Sequence, residues 1–133
     1  MLNSQRVYAT LPAADLPRAR DFYEGTLGFA ARAEAGGGVL YDTADGNAFM
    51  VFPSSGRPSG DHTQLNFQVD DLEAEVTDLK QRGVRFEAVE MDGYDPDTSI
   101  VAADDFRGAW FRDSEGNLLS VTEPSEDTGG RRT

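Results

Sequence analysis

An internal repeat limits this 133-residue chain to folds that are built from two similar modules. Three pairs of equivalent positions define the repeat, at offsets of 56, 55 and 70 residues: Asp15 and Asp71, Gly28 and Gly83, and the turns at 45–47 and 115–117. Each half reads in the same order, as a strand, a helix and three further strands. The larger last offset means that the second half contains about 15 additional residues, which we place in the acidic segment 91–105.

The repeat predicts an α+β fold in which two βαβββ modules form one curved mixed β-sheet. Half of this chain would bury little apolar surface alone, so the modules should pair and leave an open concave cleft, with the helices packed outside. We expect a first module at 1–53, a linker at 54–61 that is rich in Pro, Gly and Ser, a second module at 62–123 and a flexible tail at 124–133.

Local signals place the elements. A first strand from Arg6 to Leu11 should end at Pro12, which cannot donate a ladder hydrogen bond. Asp15 and Asp71 are typical helix N-caps, and Gly28 and Gly83 are typical helix stops. Apolar residues at three- and four-residue steps place one face of the first helix at Leu16, Ala19, Phe22, Tyr23 and Leu27, and one face of the second at Leu72, Val76 and Leu79. We also predict a strand from Val84 to Met91, a loop at 92–98, and strands at 100–103, 109–112 and 118–122.

The composition excludes several classes of function. Twelve basic and 24 acidic residues give a net charge of −12, which repels nucleic acid. The absence of cysteine excludes disulfides, thiolate metal sites and a cysteine nucleophile. No apolar stretch is long enough to span a bilayer or to serve as a secretory signal. We therefore expect a soluble, cytoplasmic protein that binds neither membrane nor nucleic acid.

The negative charge is concentrated in the second half. Residues 1–60 carry a net charge of −1 and residues 61–133 a net charge of −11. This asymmetry has three interpretations at this point: a solvated acidic face, attraction of a cationic ligand, or an acidic loop at Asp92, Asp95 and Asp97 that contacts a basic protein partner.

Three motifs resemble a known family. They are the segment 15–29, the segment Val69-Asp70-Asp71-Leu72 and the segment 111–119. Together they resemble the two modules of the vicinal oxygen chelate superfamily, which includes glyoxalase I, extradiol dioxygenases and bleomycin-resistance proteins. The resemblance covers about residues 6–123 and implies the fold more specifically than the function, because this scaffold hosts both enzymes and binders.

The resemblance also implies where a metal would be held. Metal-dependent members place His or Glu ligands on the first and last strand of each module. The matching positions here are Tyr8, Met50, Gln64 and Ser120. A phenol, a thioether, an amide and a hydroxyl are poor ligands for zinc, iron or manganese. We therefore predict no metal, no other cofactor and no catalytic residue.

Without a metal, the concave face becomes a ligand pocket. Strand alternation and pairing across the last turn predict its lining: Tyr8, Thr10, Met50, Phe52, His62, Gln64, Asn66, Trp110, Ser120 and Thr122. Rings, a thioether and neutral polar groups suit a flat organic molecule. His62, the single histidine, is either a half-exposed residue at a strand start or a pocket residue that acts as a base.

These observations favour a small-molecule-binding protein that sequesters an aromatic natural product or antibiotic, with a cationic ligand also compatible with the acidic second half. The resemblance to the bleomycin-resistance branch implies a homodimer. The alternative is an enzyme of the same superfamily, a lyase, isomerase or dioxygenase, with displaced metal ligands or with Tyr8 or His62 as acid or base.

Overall fold

The computed structural model describes residues 1–58, 60–103 and 106–123. The chain forms two compact units. Unit 1 consists of Met1–Gly60 together with the turn Asp113–Asn117, and unit 2 consists of Asp61–Arg112 and the strand that begins at Leu118. The tail expected at 124–133 lies outside the described residues, as do Asp104 and Asp105 of the acidic segment.

Unit 1 contains a four-stranded mixed sheet with a helix on one face. Its elements in chain order are β1 (Ala9–Ala13), α1 (Leu16–Arg20), a π-helical segment (Asp21–Thr26), β2 (Ala31–Ala35), β3 (Gly38–Asp42) and β4 (Ala48–Pro53). The strand order is β1-β4-β3-β2, with β1 parallel to β4 and the other pairs antiparallel. The predicted order of a strand, a helix and three strands is therefore present.

Strand alternation builds the core of unit 1. Alternate residues of three neighbouring strands are buried: Leu11 and Ala13 on β1, Val39 and Tyr41 on β3, and Phe49 and Val51 on β4. Tyr23 of the π-helical segment is fully buried, stacks on Tyr41 with ring centroids 5.8 Å apart, and lies 5.5 Å from the ring of Phe49. The core of this unit therefore contains a cluster of aromatic rings among aliphatic side chains, and the opposite face of the sheet is the more exposed one.

Pro12 does not end the first strand. The prediction of a strand from Arg6 to Leu11 is wrong in both bounds, because β1 runs from Ala9 to Ala13 and pairs Pro12 with Phe52. β1 is the edge strand of its sheet and has a partner on one side only. A residue without an N–H is tolerated there, because an edge strand leaves half of its donors outside the ladder.

The helix boundaries follow the predicted signals. The Asp15 carboxylate accepts a hydrogen bond from the Arg18 N–H at 3.1 Å, and the Asp71 carboxylate accepts one from the Ala74 N–H at 3.1 Å. Gly28 and Gly83 adopt φ values of 87° and 96°, a region that L side chains rarely occupy. The first helix departs from the prediction in one respect, since after Arg20 it widens into π-helical geometry, with the Leu27 N–H bonded to the Phe22 carbonyl.

Unit 2 contains a five-stranded mixed sheet. Its elements are β5 (Leu65–Gln68), α2 (Leu72–Gln81), β6 (Tyr94–Asp95), β7 (Ile100–Ala102), β8 (Arg107–Arg112) and β9 (Leu118–Glu123). The order is β5-β9-β8-β7-β6, with β5 parallel to β9. The buried residues of this unit are mainly aliphatic and include Leu72, Val76 and Leu79 of α2, Val101, Ala109, Phe111, Leu119 and Val121.

The predicted strand from Val84 to Met91 is wrong. Within this segment Phe86 forms an isolated bridge to Phe111, and the Glu87 N–H donates to the Trp110 carbonyl at 2.7 Å. The segment then leaves the sheet, and its remaining apolar residues line a cavity. The predicted loop at 92–98 contains the short strand β6, because the chain pairs across a turn in which Ser99 has a φ of 67°.

Among the described residues, none of the helices has the length and apolar character that crossing a bilayer requires.

Candidate functional site

A cavity of about 350 Å³ opens in unit 2 beside β8. The cavity lies on the side of the strand that carries Trp110 and Arg112, whereas Ala109 and Phe111 alternate to the buried side. The segment that follows the Phe86 bridge forms the facing wall. The lining residues are Asp61, His62, Thr63, Glu87, Ala88, Val89, Met91, Trp110, Arg112 and Leu118.

Trp110 provides the aromatic surface of this cavity. Its indole N–H donates to the Thr63 hydroxyl at 2.9 Å, which fixes one edge of the ring. Phe106 contacts the indole edge to face, with centroids 6.0 Å apart and an interplanar angle of 83°. Because two contacts set its orientation, the indole is a preformed surface on which a flat ring can stack.

Apolar side chains complete the floor and the facing wall. Leu118 is 8% exposed and pairs with Arg112 across β8 and β9. Val89 and Met91 come from the irregular segment, and Met91 is 46% exposed, which is high for a large apolar side chain. A flexible thioether can adapt to ligands of irregular outline.

Three charged residues lie along one side of the cavity. The Arg112 guanidinium contacts the Asp61 carboxylate at 2.9 Å and the Glu87 carboxylate at 3.5 Å. The Arg112 side chain is 32% exposed, that of Glu87 is 42% exposed, and that of Asp61 is 97% exposed. The guanidinium therefore lies between two carboxylates, of which one is almost wholly in solvent.

The structure brings together two of the residues predicted for the pocket. His62 and Trp110 both line the cavity of unit 2, and His62 is exposed. Four other predicted residues of this unit, Gln64, Asn66, Ser120 and Thr122, do not line it.

Two of those four residues, Ser120 and Thr122, donate hydrogen bonds to a third, Asn66. The Asn66 side-chain oxygen accepts from the Ser120 hydroxyl at 2.7 Å and from the Thr122 hydroxyl at 3.1 Å. The sheet register places Asn66 and Trp110 on either side of Ser120, which is 3% exposed. Asn66, Ser120 and Thr122 form a polar ladder on the same face of the sheet as Trp110. Their hydrogen bonds to one another use polar groups that could otherwise bind a ligand.

Gln64 differs from its neighbours. Its backbone N–H donates to the Leu118 carbonyl at 2.8 Å, which extends the pairing of β5 with β9 by one bond. Within the described residues, the side-chain oxygen of Gln64 is buried and has no hydrogen-bond partner. A buried acceptor without a partner costs about 1–3 kcal/mol.

The remaining predicted residues lie in unit 1, on the exposed face of its sheet. Thr10 pairs with Met50 and Pro12 pairs with Phe52 across the parallel strands β1 and β4. Tyr8 precedes β1 and is 46% exposed. This face carries mainly apolar groups, in contrast to the polar ladder of unit 2.

Comparison with known proteins identifies the family. The family model described as the Glyoxalase/Bleomycin resistance protein/Dioxygenase superfamily matches residues 5–121. The chain belongs to this superfamily. A comparison with curated protein sequences returned no match.

Solved structures of the superfamily share the fold. TnmS3, an antibiotic binding protein from Streptomyces sp. CB03234, is 24% identical with a TM-score of 0.68, over 92% of this chain and 98% of that chain. A glyoxalase family protein from Enterococcus faecalis is 19% identical with a TM-score of 0.67, over 92% and 100%. Lactoylglutathione lyase from Agrobacterium tumefaciens is 22% identical with a TM-score of 0.60, over 90% and 93%. At these identities the similarity shows the fold alone.

The positions at which the resemblance implies metal ligands have the same register in both units. Tyr8 lies two residues before Thr10, the partner of Met50, and Gln64 lies two residues before Asn66, the partner of Ser120. The donor atoms do not fit zinc, iron or manganese, which bind imidazole and carboxylate. In addition, the Ser120 hydroxyl is already used as a donor to Asn66.

A second group of carboxylates lies close enough together to hold a metal ion, but its members have protein partners. Asp71, Glu73 and Glu123 present oxygens within 4.8 Å of one another. Arg107, however, forms ion pairs with both Glu73 and Glu123, and its hydrogen bond lowers the pKa of Glu73. Asp71 caps α2, and Glu123 accepts from the Leu72 N–H at 3.1 Å. These carboxylates stabilise the start of α2.

Sequence reasoning missed most of the cavity lining. Arg112 is two residues from Trp110 on the same strand, so strand alternation alone would have found it. Val89 and Met91 were missed because their segment was assigned to a strand. No local signal in the sequence indicates that this segment leaves the sheet after Glu87.

Proposed function

We propose that this chain is a metal-independent small-molecule-binding protein that sequesters an aromatic natural product or antibiotic in the cavity of unit 2. The observation that carries the proposal is the oriented indole of Trp110 within a cavity of about 350 Å³. Ligand pockets in proteins typically have volumes of about 300–1,000 Å³ and combine apolar walls with a few placed polar groups.

The lining supports a flat ligand. The Trp110 face, Leu118 and Val89 offer apolar contact area, and the Thr63 hydroxyl accepts the indole N–H, which fixes the ring. Stacking on an aromatic side chain contributes about 0.5–1.5 kcal/mol beyond the area it buries. The antibiotic-binding relative TnmS3 supports this class of ligand by analogy of fold.

The donor set argues for binding without a metal. Tyr8, Met50, Gln64 and Ser120 offer a phenol, a thioether, an amide and a hydroxyl where a catalytic ion needs imidazole or carboxylate. The competing function, an enzyme of the superfamily, is supported by the lactoylglutathione lyase relative. Such an enzyme requires either metal ligands at other positions or Tyr8 or His62 as acid or base. Elemental analysis of the same protein preparation tests the first of these requirements.

Trp110 is the only tryptophan of the chain, so its emission reports directly on the cavity. We expect saturable changes in intensity and wavelength when the protein is titrated with a panel of aromatic and polycationic antibiotics. Replacing Met91 with Ala should weaken binding about threefold to tenfold, because it removes apolar contact from the wall. Leu2→Ala is the matched control, since Leu2 is 86% exposed and lies outside the cavity.

Two results would contradict the proposal. One is a Trp110 emission that responds to no member of the panel. The other is near-stoichiometric zinc, nickel, iron or manganese in protein that was purified without chelator and analysed for elements, which would favour the enzyme.

A further inference from the structure

Arg112 lies in the wall of the cavity beside Trp110, and we propose that it recognises an anionic group, such as a carboxylate, on the aromatic ligand, in the place that Asp61 occupies in this structure. The inference rests on the proposed function and specifies the chemistry of its ligand. Asp61 would then act as an internal competitor that holds the guanidinium until the ligand replaces it.

The Asp61 contact is easily exchanged. Its carboxylate lies 2.9 Å from the Arg112 guanidinium, yet its side chain is 97% exposed. Ion pairs in such surroundings add little to stability, because water and side-chain entropy offset the attraction. Asp61 also follows the Pro-, Gly- and Ser-rich segment 53–60 and precedes β5, so no regular element fixes its backbone.

The guanidinium is held more firmly than Asp61. Arg112 is the last residue of β8, pairs with Leu118 on β9, and its side chain is only 32% exposed. A flat ligand that stacks on Trp110 and covers Leu118 would remove more water from this side chain. When Asp61 leaves, the guanidinium keeps its 3.5 Å contact with Glu87 but loses its shorter carboxylate contact as water is displaced, so an acceptor on the ligand in that place stabilises it. A carboxylate fits this requirement, since a planar guanidinium binds it through two parallel hydrogen bonds.

A cationic group fits the cavity less well. Asp61 and Glu87 both contact Arg112, so a ligand cation would have to displace a guanidinium that is anchored in the sheet. The net charge of −11 on residues 61–133 favours a cation at long range. That field is screened beyond about 8 Å at physiological ionic strength, whereas contacts within the cavity are not. The contacts within the cavity therefore favour an anionic ligand, although the net charge of the second half favours a cationic one.

The test compares three probes that share one ring system: 2-naphthoate, 2-naphthamide and 2-naphthylmethylammonium. Isothermal titration calorimetry measures their affinities for the wild type and for Asp61→Asn and Arg112→Gln. We expect the wild type to prefer the acid to the amide. Asp61→Asn should bind 2-naphthoate about threefold to tenfold more tightly and 2-naphthamide within about twofold of the wild type, because a competitor and a like charge are removed. Arg112→Gln should weaken the acid about tenfold or more and abolish the preference.

Asp78→Asn is the control for net charge. Asp78 of α2 pairs with Arg82, the residue that follows the helix, and both side chains are about half exposed, so this change removes the same charge away from the cavity. We expect it to leave all three affinities unchanged. If Arg112→Gln does not fold, as judged by circular dichroism, the highly exposed Asp61 position still carries the test.

The outcomes separate this inference from the proposed function. Tightest binding of the ammonium, weakened by Asp61→Asn, would identify a cation site and overturn the inference. Equal affinities that Arg112→Gln does not change would also overturn it, while leaving an aromatic-binding cavity. Absence of binding by all three probes overturns it as well, and the antibiotic titration of Trp110 then decides the proposed function separately.

Discussion

The repeat contains two turns that share a closing hydrogen bond and a glycine with positive φ but have different surroundings. In the turn 43–47 the Thr43 N–H donates to the Asn47 carbonyl at 2.8 Å, and in the turn 113–117 the Asp113 N–H donates to the Asn117 carbonyl at 3.0 Å. Their glycines have φ values of 77° and 91°. Asn47, however, is exposed, whereas Asn117 is fully buried.

Asp113 is the centre of the buried turn. Its carboxylate accepts hydrogen bonds from the Tyr23 hydroxyl at 2.6 Å, from the Asn117 side-chain amide at 2.8 Å, and from the N–H groups of Glu115 and Asn117 at 2.8 and 2.9 Å. Burial, and then the charge of Asp113, raise the pKa of Tyr23 well above its usual value, so its hydroxyl stays a donor. Four donors on one carboxylate make this turn a stabilising element of unit 1.

The comparison shows that a local signal sets the glycine conformation and the closing hydrogen bond, whereas tertiary contacts set the energetic weight of the turn. The Gly-Asn pair has a positive φ at its glycine in both turns, although Asp45 also has a φ of 60° and its counterpart Glu115 does not have a positive φ. The residues before it, Thr43 in one turn and Asp113 in the other, decide whether the turn anchors a network. The following predictions test this difference, starting with the largest expected effect.

Asp113→Ala should lower the free energy of unfolding by about 3–5 kcal/mol, because it removes a buried carboxylate and leaves its donors without an acceptor. Urea denaturation at neutral pH measures the change. Thr43→Ala is the matched control and should cost less than about 0.5 kcal/mol, because Ala keeps the N–H that bonds to Asn47. Similar losses in the two variants would show that the turns are energetically equivalent.

Glu115 should make the stability depend on acid pH. Its side chain is 1% exposed and binds Arg18 at 2.7 Å, and this hydrogen bond is the main reason that its pKa falls from 4.5 to about 2. Because the folded-state pKa is the lower one, the stabilisation is complete above about pH 4.5 and is lost as the pH falls toward 2.

Glu115→Gln should therefore reduce the free energy of unfolding by about 2 kcal/mol at pH 7, a value that allows for screening because Arg18 is half in solvent. Urea denaturation from pH 7 to pH 3 should show the gap to the wild type narrowing with acidity. Asp45 occupies the equivalent position of the exposed turn, and Asp45→Asn should show no such gap. A gap that is constant with pH would contradict the assignment.

The two helix N-caps, Asp15 and Asp71, should show the smallest difference in their contribution to the free energy of unfolding. Asp15→Ala and Asp71→Ala each remove one carboxylate hydrogen bond to a helix N–H, and each should cost about 1 kcal/mol. Asp→Asn at either position should recover most of this loss, since an amide oxygen also caps. Thermal unfolding of the four variants checks the expectation, and losses that differ by more than about 1 kcal/mol would show that the two helices are not equivalent.

Much of the fold was predictable because its signals are local. The caps at Asp15 and Asp71, the glycines with positive φ and the alternation of buried and more exposed residues along β4 follow from residue chemistry at short range. The errors arose where pairing partners decide the outcome. Pro12 is tolerated because β1 is an edge strand, and the segment after Glu87 leaves the sheet although its composition favours a strand.

The candidate site was predictable only in part. Pairing across the last turn placed Trp110 opposite Ser120, which the sheet register confirms, and the single histidine was noticed because it is rare. The bonds from Ser120 and Thr122 to Asn66 depend on strand register, which the sequence did not specify. Arg112 was overlooked although it lies on the same side of β8 as Trp110, and its contact with Asp61 joins residues that are 51 positions apart in the chain.

The burial of Ser120 limits which side chains can replace it. An aspartate, glutamate or histidine at position 120 would place a larger ionisable group in a space that is 3% open to solvent and would take from the Asn66 side-chain oxygen one of its two hydroxyl donors. A metal ligand at this position would therefore need compensating changes on the neighbouring strands. Met91, which is 46% exposed, meets no such restriction, so side-chain size can vary at the wall of the Trp110 cavity at little cost to folding.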